Sequence, residues 1–136
     1  MQYNDLSNKS APIILFNFEN IICEEFSKGL FGVKYKIDMM HVNSINHLYK
    51  RDFAIWYISF KLPHSERKID KIENELEQQG CLFNGTFIPQ TVDSLLFFLR
   101  QQISASYYDT NRELVEHLYP FGHIWEEHIV QIWNKE

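Results

Sequence analysis

Apolar positions along the chain follow two different periods. Pro12 to Phe18 (PIILFNF) is a continuous apolar run too short for a helix, and it predicts a strand buried on both faces. Phe53 to Phe60 (FAIWYISF) and Ala105 to Tyr108 (ASYY) predict two more strands, and Cys81 to Phe83 a short one between them. The intervening segments carry apolar residues at helical spacing: Met39, Met40, Val42, Ile45 and Leu48; then Ile69, Ile72 and Leu76; then Leu95, Leu96, Leu99 and Ile103. Ser65 suits the N-cap of the second helix, Gly80 stands where a left-handed terminating residue is usually needed, and Thr91 opens the third. Asn111 to Tyr119 returns as a helix.

Two stretches are less regular. From Asn20 to Lys36 the mixture of charges, glycines and aromatics (EEFSKGLFGVKYK) predicts a helical turn followed by a loop or small hairpin beside the end of the first strand. After Pro120, Gly122 to Trp125 fits a short strand, whereas Ile124, Trp125, His128, Ile129, Ile132 and Trp133 fit one helical face; the helix is favoured for the second half. A terminal stripe of this kind is most often core, and its alternative is a partner surface.

Strands separated by helix-length segments imply right-handed crossovers, hence an α/β domain with a mostly parallel sheet covered on both faces. No repeat, low-complexity tract or linker marks a second domain, so residues 12–136 are expected to form one unit behind a flexible, polar N-terminal tail over residues 1–11. With 45% hydrophobic residues in 136, the chain can fill one core. The net charge of -5 and the scatter of lysines and arginines argue against a nucleic-acid partner. No apolar run approaches the roughly 18 residues of a membrane span, so no membrane partner is expected either. Cys23 and Cys81 lie among apolar neighbours without short cysteine spacing, which suits reduced core thiols in the cytoplasm. HIWEEH at 123–128 places its histidines five apart, the wrong separation for two ligands on one helical face.

In a parallel sheet, ligands bind beyond the carboxyl ends of the strands. The residues there are Asn17 and Glu19, Ser59, and Asp109 with Glu113. Singly, each has a local explanation: a turn former, a loop hydroxyl, a helix cap. Jointly, they place a polar set at one edge of the sheet.

With these residues, ILFNFENII resembles the first motif of the haloacid dehalogenase-like superfamily, a hydrophobic strand ending in two aspartates one residue apart. IWYIS resembles the second, a strand ending in Ser or Thr, and SYYDTNRELV the fourth, a strand ending in Asp with another acid four residues on. The resemblance runs from about Pro12 to Trp125 and implies a Rossmann-like three-layer sandwich. The short connection between Pro12 and Phe60 leaves no room for a large cap domain, and cap-less relatives often oligomerise, so a homo-oligomer is expected. The resemblance gives Asn17 the nucleophile's position, on the metal side as well, and Glu19 the acid/base position. Ser59 takes the phosphoryl-binding role, Gln90 the position of a charge-steadying lysine, and Asp109 and Glu113 the magnesium side.

The departures define the functional expectation. An Asn amide cannot form an aspartyl-phosphate, and its lack of charge weakens any magnesium site built on hard oxygen ligands. No lysine lies between Lys71 and Lys135, leaving Lys61 as a distant substitute for the one replaced by Gln90. The leading expectation is therefore a catalytically degenerate protein acting as a binding or regulatory module for a phosphorylated ligand or a protein partner, with at most weak Mg2+ binding. The alternatives are a magnesium-dependent phosphatase or nucleotidase in which Glu19 or water attacks, and an unrelated Rossmann-like fold in which the pocket keeps its place but not its chemistry.

Overall fold

The computed structural model describes residues 12–126. In chain order these form strand β1 (Ile13–Asn17), a π-helical turn (Phe18–Ile22), strands β2 (Cys23–Gly29) and β3 (Gly32–Ile37), helix α1 (Met39–Lys50), β4 (Ala54–Ile58) and α2 (Glu66–Gln78), followed by β5 (Gly85–Phe87), α3 (Val92–Arg100), β6 (Ala105–Asp109), α4 (Arg112–His117) and β7 (Gly122–Ile124). Five strands make one parallel sheet in the order β5-β4-β1-β6-β7, and β2 and β3 form a separate antiparallel hairpin. Only the π-helical turn, that hairpin and α1 stand between β1 and β4, so no large cap is present among the described residues.

Period-2 alternation along the central strands sorts the core into two layers. Ile13 and Leu15 of β1, Ala54, Trp56 and Ile58 of β4 and Tyr107 of β6 face Leu95, Phe98 and Leu99 of α3 and Leu118. Phe16, Ile55 and Tyr57 face the opposite way, into a cluster with Val42, Ile45 and Leu48 of α1 and Leu76 of α2. Two helices begin at the caps expected from the sequence, Ser65 and Thr91, and the structure adds Asp38 for α1 and Asn111 for α4. Asp38 accepts the His41 N–H at 3.2 Å, Ser65 caps α2, and Thr91 and Ser94 form a reciprocal capping box. Gly80 adopts a φ of +93° just after α2, the left-handed conformation expected of it.

Three sequence expectations are corrected, and one open reading is resolved. Cys81 to Phe83 is not a strand: the Cys81 N–H still closes on the Leu76 carbonyl, and Phe83 stacks on Tyr57 at 4.4 Å. The backbone N–H of Ile55 bonds instead to the Asn84 side chain, so pairing with β4 starts one residue later, at Gly85. Helix α3 ends at Arg100, and Ile103 is fully exposed rather than part of its apolar stripe. Met39 and Met40 are also exposed, leaving Val42, Ile45 and Leu48 to hold α1 to the sheet. The ambiguous stretch after Pro120 begins as a strand, with Trp125 buried edge-on to Phe16 and Tyr108. Trp125 is thus core and not partner surface, while His128, Ile129, Ile132 and Trp133 lie outside the described residues.

No helix among the described residues is long and apolar enough to cross a membrane. Both thiols are buried, and burial pushes each above the ordinary cysteine range. Iodoacetamide at mildly alkaline pH should therefore label neither cysteine in the native protein and both in urea, as read by intact mass. Gly122 opens β7 against α4, where a Cβ would meet the Val115 carbonyl oxygen at 2.4 Å. Gly122→Ala should lower stability by about 1–3 kcal/mol in urea unfolding, because backbone on both sides must shift.

Candidate functional site

Parallel register brings the site together. Leu15 of β1 pairs with Tyr107 of β6, so Asn17 and Asp109, each two residues further on, end up side by side on the α3/α4 face at the carboxyl edge. Asn17 also caps the π-helical turn, its side-chain oxygen accepting the Asn20 N–H at 2.9 Å. Its amide nitrogen donates to the Tyr107 hydroxyl at 3.0 Å, and that hydroxyl donates to Asp109 Oδ2 at 2.6 Å. Asp109 Oδ1 receives Asn20 Nδ2 at 2.8 Å and the backbone N–H groups of Thr110 and Asn111 at 2.7 and 3.2 Å. Asp109 and Tyr107 have no exposed surface, and Asn17 is 2% exposed.

The proton positions in this chain follow from the chemistry of the groups. Burial pushes the Tyr107 phenol far above its ordinary range, the adjacent Asp109 charge pushes it further, and donation from Asn17 opposes the shift in part. The phenol is therefore neutral. Its single proton goes to Asp109, and a lone pair remains to accept from Asn17.

A second cluster lies on the β4 side. Glu19, 7% exposed, collects the Ser59 hydroxyl and the backbone N–H groups of Phe60 and Lys61, at 3.0 and 2.9 Å, all on Oε1. The Ser59 oxygen in turn accepts from the Lys61 and Leu62 N–H groups at 3.1 and 2.9 Å. Ser59 is wholly buried, with its hydrogen-bonding capacity turned inward to the loop after β4.

Between the clusters a cavity of about 570 Å³ opens, lined by Asn17, Glu19, Asp109 and Glu113 together with Asn20, Asn111, Lys61 and His117. Of the six positions singled out in the sequence, four line it, and Ser59 supports it from behind through Glu19. Gln90 is exposed and does not line the cavity, because the capping box at Thr91 fixes the entry to α3 immediately after it. Lys61 is the cation at this cavity, with its amine 6.0 Å from the centre of the Phe26 ring. Tyr107, Asn20 and Asn111 were missed by sequence reasoning. For Tyr107 a signal existed, since a residue two before Asp109 on a strand shares its face.

The magnesium implied by the motif resemblance does not fit this donor set. Mg2+ requires near-octahedral oxygen ligation, including carboxylate oxygens with lone pairs to give. Here Asp109 carries four hydrogen bonds from the protein, the Asn17 oxygen is engaged by Asn20, and Glu19 commits Oε1 to the β4 loop. Among the described residues no three acidic, histidine or cysteine side chains are grouped to hold a metal.

No protein-family model matches the chain, and no curated protein matches it. Among solved structures it is similar to a Vibrio cholerae protein assigned as a 3-deoxy-D-manno-octulosonate 8-phosphate phosphatase, with a TM-score of 0.50, 11% identity, and coverage of 84% of this chain and 65% of that one. A Streptomyces avermitilis protein assigned as a haloacid dehalogenase family hydrolase matches with a TM-score of 0.41 and 12% identity, over 79% of this chain and 72% of that one. The chain thus spans less than two thirds of the length of the first structure, with which it shares its fold.

Tyr107→Phe tests the network. Without the hydroxyl, the Asn17 amide and Asp109 Oδ2 each lose a buried partner, and stability should fall by about 1–3 kcal/mol in urea unfolding near neutral pH. The sign of the pH dependence is fixed by the raised phenol: an unfolded chain ionises this tyrosine above its ordinary pKa of 10.0 while the native state holds the proton. Its contribution is complete below that pH and is lost above it by about 1.4 kcal/mol per pH unit, so the gap between wild type and variant should narrow as pH rises.

Proposed function

We propose that the protein is a catalytically degenerate member of the haloacid dehalogenase-like fold, acting as a binding or regulatory module through the cavity at the ends of β1 and β6. The observation that carries this reading is the Tyr107 hydroxyl between Asn17 and Asp109. A carboxylate at position 17 would be the nucleophile that the motif calls for; the amide there cannot attack, and Tyr107 ties it to Asp109. The two changes are mutually consistent. With Asp at 17, one phenolic proton would face two carboxylates, and one of them would go unmatched.

The cavity's volume admits a small ligand or a side chain presented by a partner. Its lining sets Glu19, Glu113 and the fully hydrogen-bonded Asp109 against Lys61 and His117. That balance disfavours a phosphate dianion, which would need a cation to screen it, and favours a partner presenting neutral or cationic hydrogen-bonding groups. Between a phosphorylated ligand and a protein partner, the lining charge supports the partner. The alternative reading, a phosphatase in which Glu19 or water attacks, draws on the position of Lys61 and on the Glu19 oxygen left outside the Oε1 cluster.

Hydrolysis of a generic aryl phosphate with and without Mg2+ separates the two. Wild type is expected to be inert, and the combined Asn17→Asp, Glu19→Asp and Tyr107→Phe variant to gain Mg2+-dependent turnover. Turnover by wild type that Asp109→Asn abolishes would replace the degenerate reading with the second one.

A further inference from the structure

We infer that the β2–β3 hairpin is a peripheral docking element for an anionic bilayer surface. It goes beyond the cavity and does not depend on its chemistry. The hairpin closes on a two-residue turn, Leu30 and Phe31, between Gly29 and Gly32, with Gly32 at a φ of +109°. A tight turn of this kind ordinarily takes small polar residues. Instead its two side chains are among the largest apolar groups, at 99% and 102% exposure, and nothing among the described residues covers them.

Positive charge lies on the α2 side of the tip. The space of about 540 Å³ between the hairpin and α2 is lined by Leu30 and Phe31 together with Lys28, Lys68 and Lys71. The one carboxylate there, Glu75, accepts the Tyr35 hydroxyl at 2.5 Å. Three lysines against one engaged acid make this face basic in a chain whose net charge is -5. Lys68, Lys71 and Glu75 share it because residues three and four apart lie on one side of a helix.

A bilayer fits this combination better than a protein does. Two protruding side chains cover far less than the roughly 1,200 Å² that a stable protein interface buries. An apolar tip flanked by lysines on one side needs only to enter the headgroup layer while the amines meet anionic lipid. The expectation of no membrane partner rested on the absence of a spanning segment, a criterion that does not register a two-residue tip.

The test is flotation of the full chain with phosphatidylcholine vesicles, with and without phosphatidylserine. The wild type should float only with the anionic vesicles and release as salt rises. Leu30→Ser with Phe31→Ser should abolish flotation while leaving the circular dichroism spectrum unchanged, since neither side chain packs in the core. Lys68→Gln and Lys71→Gln should each weaken binding by roughly fivefold. Wild type that stays out of the floating fraction overturns the inference, as does flotation that survives the tip substitutions. A sedimenting dimer that the tip substitutions convert to monomer, without vesicle binding, overturns it in favour of a second copy as the occupant.

Discussion

A carboxylate with no solvent contact must be matched where it sits, because moving an unmatched charge out of water costs several kcal/mol or more. At Asp109 the chain itself supplies the match. A phenol, an Asn amide and two backbone N–H groups converge on its two oxygens. The surrounding architecture is arranged to bring them there. Parallel pairing of β1 with β6 sets Tyr107 beside Leu15, and the π-helical turn capped by Asn17 delivers Asn20 from the other side. Both backbone donors come from the residues that lead from β6 into α4.

This arrangement also accommodates the Asn at position 17, where the resembled motif has an aspartate. A site that holds a cation keeps carboxylate lone pairs free for it, whereas a site that holds none must satisfy them internally. Asn at 17, a tyrosine two residues before Asp109 and an Asn at 20 are each individually unremarkable. Their hydrogen bonds form one connected chain, in which the Asn20 backbone N–H orients the Asn17 amide and the Asp109 carboxylate takes the phenolic proton. The Glu19 cluster follows the same rule, drawing on Ser59 and two backbone N–H groups of the β4 loop.

Much of this was legible in the sequence wherever the burial pattern was strong. The runs PIILFNF and FAIWYISF are buried on both faces and lie at the sheet centre, and their ends fixed the cavity's position in advance. Edge elements were harder. Phe83 is apolar because it stacks on Tyr57, not because it is in a strand, and Ile103 is apolar with no core partner, so hydrophobicity misplaced both boundaries. Gln90 was assigned by counting from a motif, while the local capping chemistry of Thr91 and Ser94 determined where the chain went. Tyr107 was hidden because an aromatic in a strand reads as packing. Its ring does pack, and only its hydroxyl reaches the site. In the same way Leu30 and Phe31 read as ordinary apolar residues until the hairpin leaves them uncovered.

If protein donors take the place of a cation at Asp109, thermal unfolding in EDTA and in excess Mg2+ will separate wild type from Asn17→Asp. The account predicts one melting temperature for wild type in both conditions. The variant should melt lower in EDTA, where two carboxylates compete for one phenolic proton, and recover in Mg2+. A wild-type melting temperature that rises with Mg2+ and falls with EDTA would contradict it, because Asp109 would then be holding a cation that its protein hydrogen bonds leave no room for.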